Sequence, residues 1–321
     1  MKYKVGIFSR PCLLKGKYIM KKNVNEPILL SPICKDIIWG GNRLAREFGK
    51  GSGKDERIAE TWELSVRADA TNTVDSGELS GLPLSELYGT EDFPVLIKFI
   101  DAQKDLSVQV HPDNEYARKN EGDLGKTEMW YVVDALPGAQ LVYGLREGVS
   151  KDDFAKAVKE NKIDACLNYV DVHRGDVFFI PAGRVHAIGG GILIAEIQQS
   201  SNVTYRVYDY DRGRELHIKK ALDVIELRTE REIDKIRYSC ADKIDDELLA
   251  DCEIFRVEKK NSINCKKIEG NCDKFRHLLV ISGKGKVGAL DVSAGSSLLL
   301  PINCDSISLD GEFEFLLTLV K

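Results

Sequence analysis

The residues able to do chemistry gather in the middle of the chain. There are only five histidines, His111, His173, His186, His217 and His277, and two of them fall in contexts that suggest metal ligation. In Gln109-Val110-His111-Pro112 the glutamine and histidine are two apart, so a strand directs both side chains to one face. Glu128 opens the next β-type run, with Trp130 and Val132 on its face by alternation. His186 follows the Pro181-Ala182-Gly183 turn, a short loop able to aim a side chain into the mouth of a barrel. One amide oxygen, two imidazoles and one carboxylate make a mixed nitrogen and oxygen donor set for a divalent cation, with room for a substrate or water. Each residue also has a plainer reading: Gln-x-His as a solvated strand face, Glu128 as a surface ion pair with Lys126, and His186 bonded to a turn carbonyl.

The elements that must position these groups are mostly strands. From about Thr127 onward, short apolar or alternating runs are separated by Gly, Pro and Asp, the signature of turns between strands. Met129 to Val133, Ala139 to Tyr143, Asp176 to Ile180, Gly191 to Ile197 and Thr204 to Tyr208 are such runs. One helix interrupts them, expected from Asp152 to about Tyr169 with Ser150 as N-cap, from the spacing of Phe154, Ala157, Val158, Ile163 and Leu167. Asn42 to Phe48 and Leu84 to Tyr88 read as short helices, and Ala221 to Glu230 as a helix leading into a charged connector. After about residue 235 the β pattern returns, at Glu253 to Glu258, His277 to Ile281, Gly295 to Pro301 and Phe313 to Val320.

A weak repeat links the halves. Gly175 to Pro181 and Gly295 to Pro301 share a Gly-to-Pro spacing of six around a buried-type run, as two related β-barrels would produce. His186 lies five residues after Pro181, and Ser306 five after Pro301. The first barrel is therefore expected to carry the polar chemistry and the second to be structural.

Composition narrows the setting. The chain has 321 residues, with 46 Lys plus Arg against 51 Asp plus Glu and a net charge of −5, which argues against broad nucleic-acid binding. No apolar run approaches the roughly 20 residues of a membrane-spanning helix, and lysines at 15, 17, 21 and 22 break up the N-terminus, so no export signal is read. Residues 1–19, ahead of Met20, read as an N-terminal extension. The eight cysteines include no Cys-x-x-Cys pair, which fits reduced thiols in a cytoplasmic protein.

Several motifs in order carry a family resemblance. Leu96 to Ala102, Leu106-Ser107-Val108-Gln109-Val110-His111-Pro112, Gly125-Lys126-Thr127-Glu128-Met129-Trp130 and Pro181-Ala182-Gly183-Arg184-Val185-His186-Ala187 resemble type I mannose-6-phosphate isomerase, as do Ala59-Glu60-Thr61-Trp62 and Tyr205 to Arg212. The resemblance runs from about Pro27 to His217 and is nearest the short bacterial branch. It implies a mainly β double cupin, two jelly-roll-like barrels with a small helical insertion: a catalytic domain over residues 20–230, helical at about 151–170, and a degenerate cupin over 231–321. It also implies Zn²⁺ as cofactor with Gln109, His111, Glu128 and His186 as ligands, and a hexose phosphate as substrate. Arg206 corresponds to the family's active-site arginine, with an ion pair to Asp209 or Asp211 as its alternative role. Lys98, Ser107 and Lys126 become candidate substrate contacts, with Lys126 also a candidate catalytic residue beside Arg206 and Glu196. Glu196, in the otherwise apolar run Ile192 to Ile197, is either a proton-transfer group or a buried partner of Arg206, since an unpaired carboxylate there is costly. Many members carry an aspartate four residues before that arginine, where this chain has Asn202. Two other classes share such a metal shell: a non-haem iron cupin oxygenase and a non-catalytic sugar-binding cupin.

Overall fold

Turn residues cut the apolar runs into strands as the pattern predicts. The computed structural model describes residues 24–89, 93–237, 248–270 and 272–321; the expected extension 1–19 lies outside them. In chain order the strands of the first half are β1 (Ile28–Ser31), β2 (Ile33–Lys35), β3 (Glu60–Leu64), β4 (Val66–Arg67), β5 (Ala70–Thr71), β6 (Thr73–Val74), β7 (Val95–Ala102), β8 (Val108–Val110), β9 (Glu128–Ala135), β10 (Gln140–Leu145), β11 (Leu167–Asp171), β12 (Val177–Ile180), β13 (His186–Ile188), β14 (Ile192–Gln199) and β15 (Tyr205–Tyr208). Those of the second are β16 (Leu248–Asp251), β17 (Phe255–Asn261), β18 (Lys267–Ile268), β19 (Arg276–Val287), β20 (Leu290–Ser293), β21 (Ser297–Leu300) and β22 (Ile307–Val320).

The first barrel is two antiparallel sheets, ordered β12-β9-β14-β7-β3-β2 and β11-β10-β13-β8-β15. β7 and β14 are buried along their whole length. The second barrel is built on a sheet ordered β16-β17-β22-β19-β21-β1-β6. Residues 28–31 and 73–74 thus pair into the sheet of the C-terminal half, Ile28 opposite Leu299 and Leu30 opposite Val74. The repeat has a structural counterpart: Gly175 and Gly295 both adopt positive φ, 94° and 92°, before strands that pair with β9 and β19. Only glycine takes that conformation without strain.

The helices differ from expectation in their ends. α1 (Arg43–Phe48), α2 (Leu84–Leu87) and α3 (Asn114–Asn120) are short. The helix expected to reach about Tyr169 is α4 (Lys151–Lys159), entered through a capping box of Ser150 and Asp153. It stops because Asn161 turns left-handed at φ 56°, with Asn161 N–H bonding the Val158 carbonyl and Lys162 N–H that of Ala157, a Schellman closure. Residues 167–171 are then strand β11, not helix. The helix expected over 221–230 is α5 (Ile218–Val224), and α6 (Glu230–Arg237) follows as a separate element. Among the described residues no helix is long and apolar enough to cross a membrane.

Candidate metal centre

Strand register assembles the site. Gln109 on β8 lies opposite His186 on β13 and Arg206 on β15, so the three residues form one row on one face of the five-stranded sheet. His111, two beyond Gln109, extends that face past the end of β8. In the facing sheet Glu196 on β14 is opposite Lys98 on β7 and Trp130 on β9. Glu128, two before Trp130, shares that face and pairs with Gln198.

The two rows meet at three buried donors. His111 Nε2 and His186 Nε2 are 3.1 Å apart. Glu128 Oε1 lies 3.2 Å from His186 Nε2, and Oε2 lies 3.7 Å from His111 Nε2. One ligand atom from each residue fits within a 4.8 Å span. The imidazoles are oriented by main-chain carbonyls: His111 Nδ1 is 2.9 Å from Val203 O, and His186 Nδ1 is 2.8 Å from Arg184 O. A carbonyl only accepts, so each Nδ1 carries the hydrogen and each Nε2 presents a lone pair.

Two facing lone pairs repel unless a proton or cation lies between them. Burial, then Lys126, pushes His111 well below the ordinary histidine range, and burial pushes His186 down to about 3. Protonation is therefore disfavoured. Both oxygens of buried Glu128 lack a properly formed hydrogen bond, although the Lys126 ammonium stands 3.2 Å from Oε2. Burial pushes Glu128 up to about 8 against the pull of Lys126. A buried Glu128 Oε1 without a hydrogen bond, beside two imidazole lone pairs, fits a divalent cation bound by nitrogen and oxygen.

Around this set the charges are paired inside the barrel. Lys126, read as one half of a surface ion pair, is instead buried with Glu128. Lys98 is likewise buried, 3.2 Å from Glu196 Oε2 and 3.7 Å from Glu60 Oε2. Glu196 is thus the partner of Lys98, not of Arg206, and its Oε1 accepts from Trp130 Nε1 at 2.9 Å. Burial would raise the Glu196 carboxyl, but Lys98 and Lys126 hold it below the usual range. Trp130 packs edge-on to the His186 ring at 5.3 Å, a linkage the shared face of Glu128 and Trp130 already hinted at.

Arg206 is half-buried; its Nε donates to Ser107 Oγ at 3.2 Å and one Nη to the Glu215 carbonyl at 3.0 Å. The alternative ion pair to Asp209 is not made, because Asp209 is held by Arg214. Asn202 lies exposed, its Nδ2 3.2 Å from Asp69 Oδ2.

Residues 28–132 match the model of the phosphomannose isomerase type I catalytic domain, a span that holds Gln109, His111 and Glu128 but stops short of His186. The chain is 36% identical to mannose-6-phosphate isomerase ManA of Bacillus subtilis, over 90% of this chain and 97% of that protein. The crystal structure of the mannose 6-phosphate isomerase from Bacillus subtilis superimposes with a TM-score of 0.79 at 30% identity, covering 92% of this chain and 99% of that one. A mannose 6-phosphate isomerase structure described as bound with zinc and yttrium shares the fold, at TM-score 0.67 and 14% identity, over 92% of this chain and all of that one. With near full-length identity of this order and a double cupin that brings two histidines and a glutamate together, the chain belongs to the type I mannose-6-phosphate isomerase family.

Proposed function

We propose that this isomerase interconverts mannose 6-phosphate and fructose 6-phosphate through a cis-enediol, with Zn²⁺ held by Gln109, His111, Glu128 and His186. The observation that carries the zinc reading is the pair of facing Nε2 lone pairs beside a buried carboxylate whose Oε1 has no hydrogen bond. Zinc, when bound, supplies positive charge to the oxygens that become anionic as a proton moves between C1 and C2.

The chain's own residues do the rest. Arg206, braced by Ser107, presents a fixed guanidinium to the phosphate or to the enediolate, where a planar fork binds better than a point charge. Lys126 places an ammonium beside the ligand set, and we assign it contact and proton exchange with substrate hydroxyl oxygens. Lys98 lines the same face. Glu196 has one oxygen bonded to Trp130 and the other facing Lys98, so we assign it to hold these two rather than to carry the substrate proton. The second barrel has Ser306 where the first has His186, and we take residues 231–321 as structural support for the catalytic unit in 20–230.

The test is an assay that couples fructose 6-phosphate formation from mannose 6-phosphate to a spectroscopic readout, with and without a chelator. Turnover should vanish on chelation and return with Zn²⁺. Full turnover by a verified metal-free sample would reject the zinc reading, and oxygen uptake with ferrous iron would favour an oxygenase.

A further inference from the structure

The segment after Arg206 holds an acid whose charge acts on it. Asp209 lies three residues along the same strand end and is almost completely buried. A carboxylate there could pair with the Arg206 fork and withdraw it from any anionic substrate. The chain prevents this by folding back on itself.

Tyr210 and Asp211 both adopt left-handed backbone, at φ 52° and 56°. Two consecutive non-glycine residues in that region are strained and persist only when their surroundings hold them. The hold comes from both sides of the turn. Arg212 donates to the Asp105 carbonyl at 2.7 Å and stacks over the Tyr210 ring at 5.2 Å. Arg214 returns to Asp209, its Nε lying 2.9 Å from Oδ2 and 3.1 Å from Oδ1, while its Nη2 also bonds Oδ1. Both oxygens of Asp209 are therefore taken. Arg206 makes its own hydrogen bonds to neutral groups, Ser107 Oγ and the Glu215 carbonyl, and feels the Asp209 and Glu215 carboxylates only through space, against the opposing charge of Arg214.

We propose that Arg214 is a positioning residue for the isomerase reaction, holding both oxygens of Asp209 so that the Arg206 guanidinium makes no direct ion pair and its fork stays open to the anionic substrate. The proposal rests on the reading of Arg206 as a substrate-binding group and adds a partner that reading does not contain. Arg214 acts through Asp209 and need not touch substrate. Its removal releases the carboxylate, which then neutralises Arg206.

Four variants test this in the metal-loaded enzyme, with thermal melting of each to verify folding. Arg214→Ala should lose at least about tenfold in kcat/KM for mannose 6-phosphate, and its division between KM and kcat should match that of Arg206→Ala. Asp209→Asn alone should stay within about threefold of the parent. The double variant Arg214→Ala/Asp209→Asn should recover to that same range, because no carboxylate remains to compete. A double variant as weak as Arg214→Ala overturns the proposal, as does Arg214→Ala at parental activity. If Arg214→Ala does not fold, the folded double variant decides, since low activity in it also overturns the proposal. Arg206→Ala at parental activity would instead overturn the reading of Arg206 itself.

Discussion

At the scale of single residues the site depends on which atoms are left without partners. Asp209 is taken by Arg214 rather than by Arg206, and Glu128 is buried with an Oε1 that has no hydrogen bond. A guanidinium that meets charge developing in the transition state contributes several kcal/mol there. Arg206→Ala should therefore lower kcat/KM by at least about 100-fold, roughly 2.7 kcal/mol. Steady-state kinetics showing a loss under about threefold would remove it from the site on the same scale. The proposed ligand residues stood out through the family motifs that contain them, since Gln-x-His alone fits a solvated strand face equally well. The groups that aim the imidazoles were not, since they are the main-chain carbonyls of Val203 and Arg184 and a carbonyl has no signature in side-chain identity. The true partner of Glu196 was hidden for another reason: Lys98 is 98 positions earlier, and only strand register brings the two together.

At the scale of elements, buried polar groups on strands set how the protein answers to pH. His277 on β19 is fully buried and bonded through Nε2 to Ser297 Oγ on β21 at 2.8 Å. Burial pushes it down to about 3 from an ordinary value of 6.5. Between those values the unfolded chain binds a proton that the folded chain refuses, so stability falls as pH drops from about 6.5 toward 3, by up to about 1.4 kcal/mol per pH unit. In urea titrations at pH 6.5 and 4.5, His277→Gln should lose less stability than the parent over this interval. Parallel losses in the two proteins would contradict the assignment. Element type was largely readable here, boundaries less so. Ile163 and Leu167 continue a helical spacing past Asn161, yet the left-handed Asn161 ends α4 and Leu167 packs from a strand. For α6 a signal was present in Thr229 and Glu232, which form a capping pair in which Thr229 Oγ1 lies 2.9 Å from Glu232 Oε2.

At the scale of the whole molecule, the two barrels are joined by groups that no local pattern reveals. β1 leaves the N-terminal half to pair with β21. Lys50 bridges the halves, its buried Nζ donating to Glu63 Oε2 at 2.9 Å and to the Gly295 carbonyl at 2.6 Å. Removing one partner of a buried pair strands the other charge, typically at about 3–5 kcal/mol. Lys50→Met should therefore destabilise the protein by that order in chemical denaturation, and a change below about 1 kcal/mol would show the bridge to be dispensable on this scale. The repeat itself was visible from its glycine and proline spacing, and with Ser306 where the repeat would place the counterpart of His186, the proposed ligand set belongs to the first barrel alone.

That division of labour makes the amount of bound metal the most direct measure of the account. Elemental analysis of dialysed protein should find about one zinc per chain, falling to near zero when His111 and His186 are both replaced by alanine. Two equivalents that survive dialysis, or one retained by the doubly substituted protein, would place the cation somewhere other than between these two imidazoles.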